Sequence, residues 1–156
     1  MGVSFTRDRF AVAWPGIEPL LAAHWREVAY PGGFPADDAP VADVATYLEA
    51  DAAGRLVCFT VRAPGDSVVG YAMFWVGPFP QRCGMLAAWA EAVYLRPEAR
   101  DGRTGAHFLR FCEEELRGLG IRVIHHSVRA GRDFSPVLDR LGYVQAEVVY
   151  AKHLEP

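Results

Sequence analysis

One segment, residues 93–106, constrains the fold and the function of this chain more than any other. It begins with the apolar run Val93-Tyr94-Leu95, which predicts a β-strand, and it passes through a turn rich in Gly and Arg. It then enters residues 104–119, where apolar side chains recur at helical spacing. A strand–turn–helix unit directs several backbone N–H groups and the positive end of a helix dipole at one point. The segment therefore predicts a site for a phosphate-bearing ligand.

The other patterns predict a single domain, residues 1–156, of the mixed α/β class. The predicted strands are residues 3–6, 55–62, 68–76, 85–95, 121–128 and 143–153, and the predicted helices are 15–29, 37–48, 104–119 and 133–140. Pro15 is expected in the first turn of the first helix, and Asp37 or Asp38 is expected to begin the second. This order predicts a mixed, mostly antiparallel sheet with helices on both faces.

The composition argues against several classes of protein. A net charge of −3 is unfavourable for a general nucleic-acid binder. The 3 cysteines have no metal-ligand spacing and cannot all pair, which favours the reducing cytoplasm and gives no metal site. No run reaches the ~18 apolar residues of a membrane span, and residues 1–9 lack an apolar signal core. Of 16 cationic side chains only Lys152 is a lysine, a bias that suggests a GC-rich bacterial or phage genome.

The turn resembles the acyl-CoA-binding motif of the GNAT family of N-acetyltransferases. In that family an aliphatic–Pro–Glu pattern ends the strand, and Arg/Gln-x-x-Gly-x-Gly/Ala precedes the helix. The corresponding residues here are Arg100-x-x-Arg103-x-Gly105-Ala106, in which Arg100 and Gly105 match the pattern. Arg103 stands where the family has its first Gly, and the neighbouring Gly102 is a candidate for the positive-φ residue. The resemblance implies a three-layer acetyltransferase fold.

The resemblance also implies acetyl-CoA as the cofactor and a set of residues that hold it. The backbone after the strand wraps the diphosphate, and the strand edge bonds the pantetheine arm, with an N–H near Val93 polarising the thioester carbonyl. The implied cofactor-binding residues are Val93, Tyr94, Leu95, Arg100, Asp101, Gly102, Arg103, Thr104, Gly105 and Ala106. A helix cap with solvated arginines is the alternative interpretation. A P-loop and a Rossmann site are both disfavoured, because Gly-Lys-Ser/Thr and Gly-x-Gly-x-x-Gly do not occur.

Two residues are candidates for the general base that amine attack on a thioester requires. Glu91 lies four residues before Leu95 on the cofactor-bearing strand, where many family members carry a carboxylate. His125 and His126 point to opposite faces of the next strand, and His126 is the second candidate because histidine titrates near neutrality. An ion-paired glutamate and a buried core histidine are the respective alternatives.

The general acid that is usual in the family is missing from this sequence. Many members place a Tyr four residues before the Gly of the last helix, to protonate the departing thiolate, and here that position is Leu138. Ser135 is a candidate catalytic substitute, and Asp133, Tyr143 or water are alternatives. A thiolate whose conjugate thiol has a pKa of about 8.5 also leaves without much help.

These features predict an acetyl-CoA-dependent N-acetyltransferase that acts on a primary amine of a small molecule or peptide by direct attack in a ternary complex. A non-catalytic acetyl-CoA sensor that binds a partner protein is the alternative, and Leu138 keeps it open. A nucleic-acid-modifying relative fits the charge poorly. Candidates for the acceptor end are Trp25, Tyr30, Phe34, Asp37, Asp38, Trp75 and Phe79, and exposed edge strands leave a homodimer open.

Overall fold

Five strands and five α-helices make up the described part of the chain, which in this computed structural model comprises residues 2–30, 33 and 40–154. The strands are β1 Ser4–Asp8, β2 Leu56–Arg62, β3 Val68–Pro78, β4 Leu86–Leu95 and β5 Ile121–His125. The α-helices are α1 Phe10–Ile17, α2 Leu21–Val28, α3 Val44–Ala52, α4 Thr104–Gly118 and α5 Ser135–Arg140, and 3-10 turns span Glu18–Leu20 and Pro97–Ala99.

The strands form one mixed sheet in the order β1-β2-β3-β4-β5. The first four are antiparallel neighbours, whereas β5 runs parallel to β4 and is reached through the crossover helix α4. Alternate residues of a strand point to opposite faces, and each face has its own apolar core. One core contains Phe10 and Ile17 of α1, and the other contains Phe108 and Leu116 of α4. The predicted mixed sheet with helices on both faces is confirmed.

The N-terminal helix begins earlier than predicted. Phe10, Ala13 and Ile17 lie on one face and are all at most 1% exposed, so this apolar stripe sets the helix against the sheet. Pro15 therefore lies inside α1 rather than in its first turn, and that prediction is wrong. The helix gives way to the 3-10 turn Glu18–Leu20 before α2 begins.

The cap of α3 is Asp43. Its Oδ1 accepts from the backbone N–H of Thr46 at 3.1 Å, and its Oδ2 accepts from the Thr46 hydroxyl at 2.7 Å. Val41 lies within the predicted helix 37–48, but it precedes α3 and is 98% exposed. Asp37 and Asp38, predicted to begin the helix, lie outside the described residues.

The chain after α5 departs most from the sequence prediction. Residues 144–154 form neither strand nor helix, so the predicted strand 143–153 is wrong. An alternating pattern needs a neighbouring strand and an apolar layer, and the segment meets neither within the described chain. The strand before it is also shorter than predicted, because the β4–β5 pairing ends at Trp89↔His125.

Two further features concern the burial of the cysteines and the length of the helices. Cys58 and Cys112 are buried and Cys83 is exposed, and all three are free. Cys112 packs with Phe108 and Leu116 in the core between α4 and the sheet. In the described portion, no helix has both the length and the apolar character that crossing a bilayer demands.

Candidate active site

Strands β4 and β5 stop pairing halfway along β4. Residues Leu86 to Trp89 pair with β5, but residues 90–95 have only β3 as a strand neighbour in the described chain. On the other side of β4, the backbone N–H of Arg96 donates to the carbonyl of Val69 in β3. Because hydrogen bonds alternate along an antiparallel ladder, the N–H groups of Val93 and Leu95 point to the open side. The structure thus contains an unpaired strand edge at the place where the family resemblance implies a pantetheine arm.

A β-bulge in β4 sets the direction of Glu91. Met73 pairs with Ala92 and Phe74 pairs with Ala90, so Glu91 is the extra residue between them. Its Oε1 accepts from the Tyr47 hydroxyl at 2.9 Å, and its Oε2 accepts from Trp75 Nε1 at 2.7 Å.

The two donors hold this carboxylate in one position while the residue remains exposed to solvent. The rings of Tyr47 and Trp75 stack with centroids 5.6 Å apart and planes 19° apart, which fixes both donors. Burial and the neighbouring Glu91 raise the pKa of Tyr47, so its hydroxyl keeps the proton that it donates. Glu91 therefore presents a solvent-accessible carboxylate whose position two hydrogen-bond donors fix.

The two histidines at the end of β5 lie on opposite faces, as predicted. His125 pairs with Trp89, stacks on its ring at 5.7 Å with an 8° interplanar angle, and faces the side of the sheet that carries Trp75. His126 lies on the α4 side among the rings of Phe74 and Tyr143. The structure brings His125, rather than the predicted candidate His126, to the face that holds Glu91.

Burial governs the protonation of His126. It lowers the pKa of this imidazole from 6.5 to about 4, and the Nδ1 atom has no hydrogen-bond partner among the described residues. The side chain is therefore neutral at pH 7.

This burial predicts a pH-dependent stability. The unfolded chain takes up the His126 proton near pH 6.5 and the folded chain only near pH 4, so stability falls as pH falls through that window. When the pH falls from 7 to 5, the unfolding free energy of His126→Phe should decrease by about 1–2 kcal/mol less than that of the wild type. Urea unfolding at the two pH values measures this difference, and equal losses in both proteins would contradict it.

The conformation of the turn after β4 is fixed by a left-handed glycine and by hydrogen bonds from backbone N–H groups. Gly102 adopts a φ of +81°, the left-handed conformation that the sequence assigned to it. Asp101 Oδ1 accepts from the N–H groups of Arg103 at 3.0 Å and Thr104 at 2.8 Å, and these bonds lower the pKa of Asp101 to about 2. The carboxylate therefore caps the first donors of α4 and shapes the turn.

The next two donors of α4 stay available. Within the described chain the N–H groups of Gly105 and Ala106 have no acceptor, since the ladder of α4 starts with His107 bonding to the Arg103 carbonyl. A Cβ placed on Gly105 would meet no protein atom within 4 Å. Open space above a helix start with free N–H groups fits a phosphate group.

Arg100, predicted to bind the cofactor, has protein partners on two elements. Its Nε donates to the Leu95 carbonyl at 2.7 Å, and its Nη2 donates to both Glu27 oxygens at 2.9 and 2.7 Å. The guanidinium thus ties the end of β4 to α2, and its charge is paired.

The residues considered for the general acid are already engaged. Asp133 accepts from the Ser135 backbone at 2.9 Å and also from the Ser135 side chain, which lowers the pKa of Asp133. Burial and a hydrogen bond to Glu113 raise the pKa of Tyr143. Leu138, at the family's usual Tyr position, is 6% exposed and packs inward.

The long-range contacts that hold this site together carry no local sequence signal. Tyr47 and Trp75 fix Glu91 from 44 and 16 residues away. Glu27 reaches Arg100 across 73 residues. Of the predicted acceptor-end residues, Phe34, Asp37 and Asp38 lie outside the described chain, whereas Phe79 contacts the rings of Trp89 and His125.

An open strand edge that leads to a free helix start is the arrangement expected of an acyl-CoA-dependent transferase. The chain belongs to the acetyltransferase (GNAT) family, because the sequence model of that family matches residues 20–136, about three quarters of its 156 residues. Membership supports acetyl transfer in general, and the family uses acetyl-CoA. A search of the curated proteins found no sequence match.

Solved structures of acetyltransferases share the fold over nearly the whole chain. A ribosomal-protein-alanine N-acetyltransferase from Brucella melitensis biovar Abortus 2308 has a TM-score of 0.76 at 13% identity, with 100% of both chains covered. An aminoglycoside acetyltransferase from an uncultured soil metagenomic sample, solved with sisomicin, has a TM-score of 0.73 at 9% identity, covering 98% of this chain and 97% of that one. AAC(6')-Iy, solved with the bisubstrate analogue CoA-S-monomethyl-acetylneamine, has a TM-score of 0.68 at 17% identity and full coverage of both chains.

Proposed function

We propose that this protein is an acetyl-CoA-dependent N-acetyltransferase that acts on a primary amine of a small molecule or peptide by direct attack in a ternary complex. The observation that carries the proposal is the unpaired edge of β4, residues 90–95, with Glu91 on its bulge and the free N–H groups of α4 beyond its end. The proposed base, the strand edge for the pantetheine arm and the proposed diphosphate site thus follow one another along the chain from β4 to α4. The relatives solved with sisomicin and with a coenzyme A bisubstrate analogue support this assignment.

The cofactor would be held mainly by the main chain. Val93 and Leu95 offer N–H groups to the pantetheine arm, and Gly105 and Ala106 offer N–H groups and the helix dipole to the diphosphate. Acetyl-CoA, when bound, supplies the acetyl group as an activated thioester. The Val93 N–H is placed to donate to a carbonyl oxygen on which charge develops, the role of an oxyanion-hole donor.

Glu91 is the proposed general base. An alkylamine of pKa ~10.4 is about one part in a few thousand neutral at pH 7, which costs ~4–5 kcal/mol. A carboxylate fixed by Tyr47 and Trp75 attracts the ammonium form, accepts its proton directly or through water, and leaves a nucleophilic amine. The stacked aromatic pair adds a cation–π surface beside the carboxylate. His126 is the second candidate for this role.

The departing thiolate needs little assistance from the protein. Ser135 is the proposed acid because it begins α5 and carries a hydroxyl, although this hydroxyl bonds Asp133. Tyr143, with its raised pKa, is a weaker proton donor than a free tyrosine. Because the thiol of coenzyme A has a pKa of about 8.5, its thiolate can leave and take up a proton from water.

The three free thiols favour a reducing compartment, and we infer the cytoplasm.

Thiol release tests the proposed function. The protein is mixed with acetyl-CoA and a panel of small amines and peptide N-termini, and free coenzyme A is followed with a thiol reagent. We expect release that depends on both an amine and the protein. Calorimetric binding of acetyl-CoA without amine-dependent release across the panel would favour the non-catalytic binding module, and the absence of binding would overturn both functions.

A further inference from the structure

Five aromatic side chains lie in a row on the face of the sheet that carries the proposed base. Trp75 of β3 pairs with Trp89 of β4, and Trp89 pairs with His125 of β5, so three rings lie side by side on neighbouring strands. Tyr47 of α3 stacks on Trp75 at one end. At the other end the ring centroid of Phe79 lies 6.5 Å from Trp89 and 5.7 Å from His125. These five side chains make up the aromatic row.

Part of the aromatic row lies outside the two apolar cores. Within the described chain, Phe79 and Trp89 pack in neither core, and both residues are partly exposed. Helix α1 packs against β2 and β3 and α3 packs against β2, whereas α2 meets β4 near its end, where His24 stacks on Tyr94. Large rings that cluster outside a core, rather than being scattered singly over the surface, mark a binding surface.

The rings of the row form two separate stacks. The planes of Tyr47 and Trp75 are 19° apart with centroids at 5.6 Å, and those of Trp89 and His125 are 8° apart with centroids at 5.7 Å. Each indole is therefore held in place by its own partner. Because both indoles remain partly exposed, a flat ring can add to either stack through a face or an edge, the arrangements that aromatic pairs prefer.

The carboxylate of Glu91 adjoins the row and sets the charge of a matching ligand. It accepts from Trp75 Nε1 at 2.7 Å and from the Tyr47 hydroxyl at 2.9 Å, so an ammonium group that binds Glu91 lies directly beside the rings. Among the described residues Glu91 is the one carboxylate in hydrogen-bond contact with the row, and Asp43, earlier on the α3 side, is engaged in capping Thr46. One carboxylate beside uncharged rings matches one ammonium group on an apolar body.

We propose that the acceptor is a monoamine joined to an aromatic ring by a short linker, with its ammonium group at Glu91 and its ring on the aromatic row. The proposal rests on the proposed function, because it assigns the row to the acceptor of acetyl transfer. Trp89 and Phe79 are specificity-determining residues, since they contact the ring of the acceptor and not the reacting nitrogen. An amino sugar or a polyamine would instead place hydroxyl or ammonium groups against rings that offer them few hydrogen bonds.

A matched pair of amines tests the substrate class. Phenethylamine and cyclohexylethylamine have the same carbon skeleton and carry the same alkylamine, but only phenethylamine has a flat aromatic ring. In the thiol-release assay with acetyl-CoA, we expect kcat/KM to be about 10-fold higher for phenethylamine than for cyclohexylethylamine, and higher than for glucosamine and spermidine. Acetylation of any of the other three amines with an equal or higher kcat/KM would overturn the substrate class while leaving acetyl transfer intact.

Variants of the row locate the ring of the acceptor. Trp89→Leu and Phe79→Leu each remove one aromatic ring but keep an apolar side chain. Each should raise KM for phenethylamine about 5- to 10-fold and leave kcat and coenzyme A affinity unchanged. Phe111→Leu is the matched control, because Phe111 is a partly exposed phenylalanine on the opposite face of the sheet, against Phe5 and Phe59. An unchanged KM in both row variants would refute the row as the acceptor site.

Amine binding without turnover separates this proposal from the proposed function. Calorimetry in saturating coenzyme A, which carries no acetyl group to transfer, should show phenethylamine binding about 10-fold more tightly than cyclohexylethylamine. Trp89→Leu should remove this difference. If no amine is acetylated but the selective binding is present, acetyl transfer fails and the site for an aromatic amine stands. Equal affinities for the two amines, or no binding of either, would overturn the site.

Discussion

Replacing Gly105 with Glu is expected to abolish coenzyme A binding, with at least a 100-fold rise in Kd, or about 2.7 kcal/mol. The Gly105 N–H faces the proposed diphosphate position, and apart from the adjoining backbone of α4 no described atom lies within 4 Å of the Cβ position. A glutamate side chain can therefore enter that space without disturbing the fold. It would block the anion sterically and place a negative charge beside it. Calorimetry with coenzyme A measures the loss.

Two further variants separate the ligand site from the fold. Gly118→Glu is the matched control, because Gly118 lies in the last turn of the same helix and its Cβ position is equally open. It should leave coenzyme A affinity unchanged. Gly105→Ala should raise unfolding free energy by about 0.5–1 kcal/mol, as alanine favours a helix over glycine, while it weakens coenzyme A binding. Coenzyme A affinity retained in Gly105→Glu would remove the diphosphate from the start of α4.

Replacing Glu91 with Gln is expected to lower kcat about 10²–10³-fold, within the range that a positioned general base contributes. The substitution keeps the size of the side chain and one oxygen acceptor for Tyr47 or Trp75, but it removes the proton-accepting charge. Coenzyme A affinity should stay at the wild-type value, because Glu91 lies on the α1–α3 side of the strand, whereas the proposed diphosphate site is at the start of α4. Steady-state kinetics and calorimetry on the same preparation measure both quantities.

A control distinguishes this effect from a general loss of negative charge. Glu114 is exposed on α4, and Glu114→Gln should leave kcat and the coenzyme A affinity unchanged. Trp75→Phe removes one of the two donors to Glu91 and should reduce kcat less than Glu91→Gln does. Unchanged turnover in Glu91→Gln would exclude Glu91 as the base and direct attention to the histidines, of which His125 shares its face.

The elements with strong local patterns were predictable from the sequence. Residues 104–119 carry a long apolar stripe and predicted α4 to within a residue, and the β-branched and aromatic runs predicted β2, β3 and β4. Predictions from local sequence patterns were wrong where tertiary packing determines the secondary structure. Pro15 suggested a helix start, but the buried stripe from Phe10 extends the helix upstream of it. Residues 143–153 carry a strand pattern, but no strand forms there because a strand exists only beside a neighbour.

The motif residues predicted the turn of the site, whereas the contacts around them depend on tertiary packing. The glycines predicted the turn, since Gly102 adopts the left-handed φ that the motif requires. The ion pair of Arg100 did not follow from the position of this residue in the motif. Its pairing with Glu27 depends on α2 packing beside the end of β4, a contact 73 residues apart in the chain. The bulge at Glu91 likewise depends on the register between β3 and β4, which no local pattern specifies.

The sequence by itself determined the fold class, the strand–turn–helix unit and the family, because these rest on local periodicity and on glycines whose backbone conformation few other residues adopt. Only the tertiary structure decided that β4 and β5 separate after Trp89, that Tyr47 and Trp75 hold Glu91, and that the last segment stays outside the sheet. Those outcomes are set by register and by contacts between distant residues, whose free energies exist only once the layers have packed together.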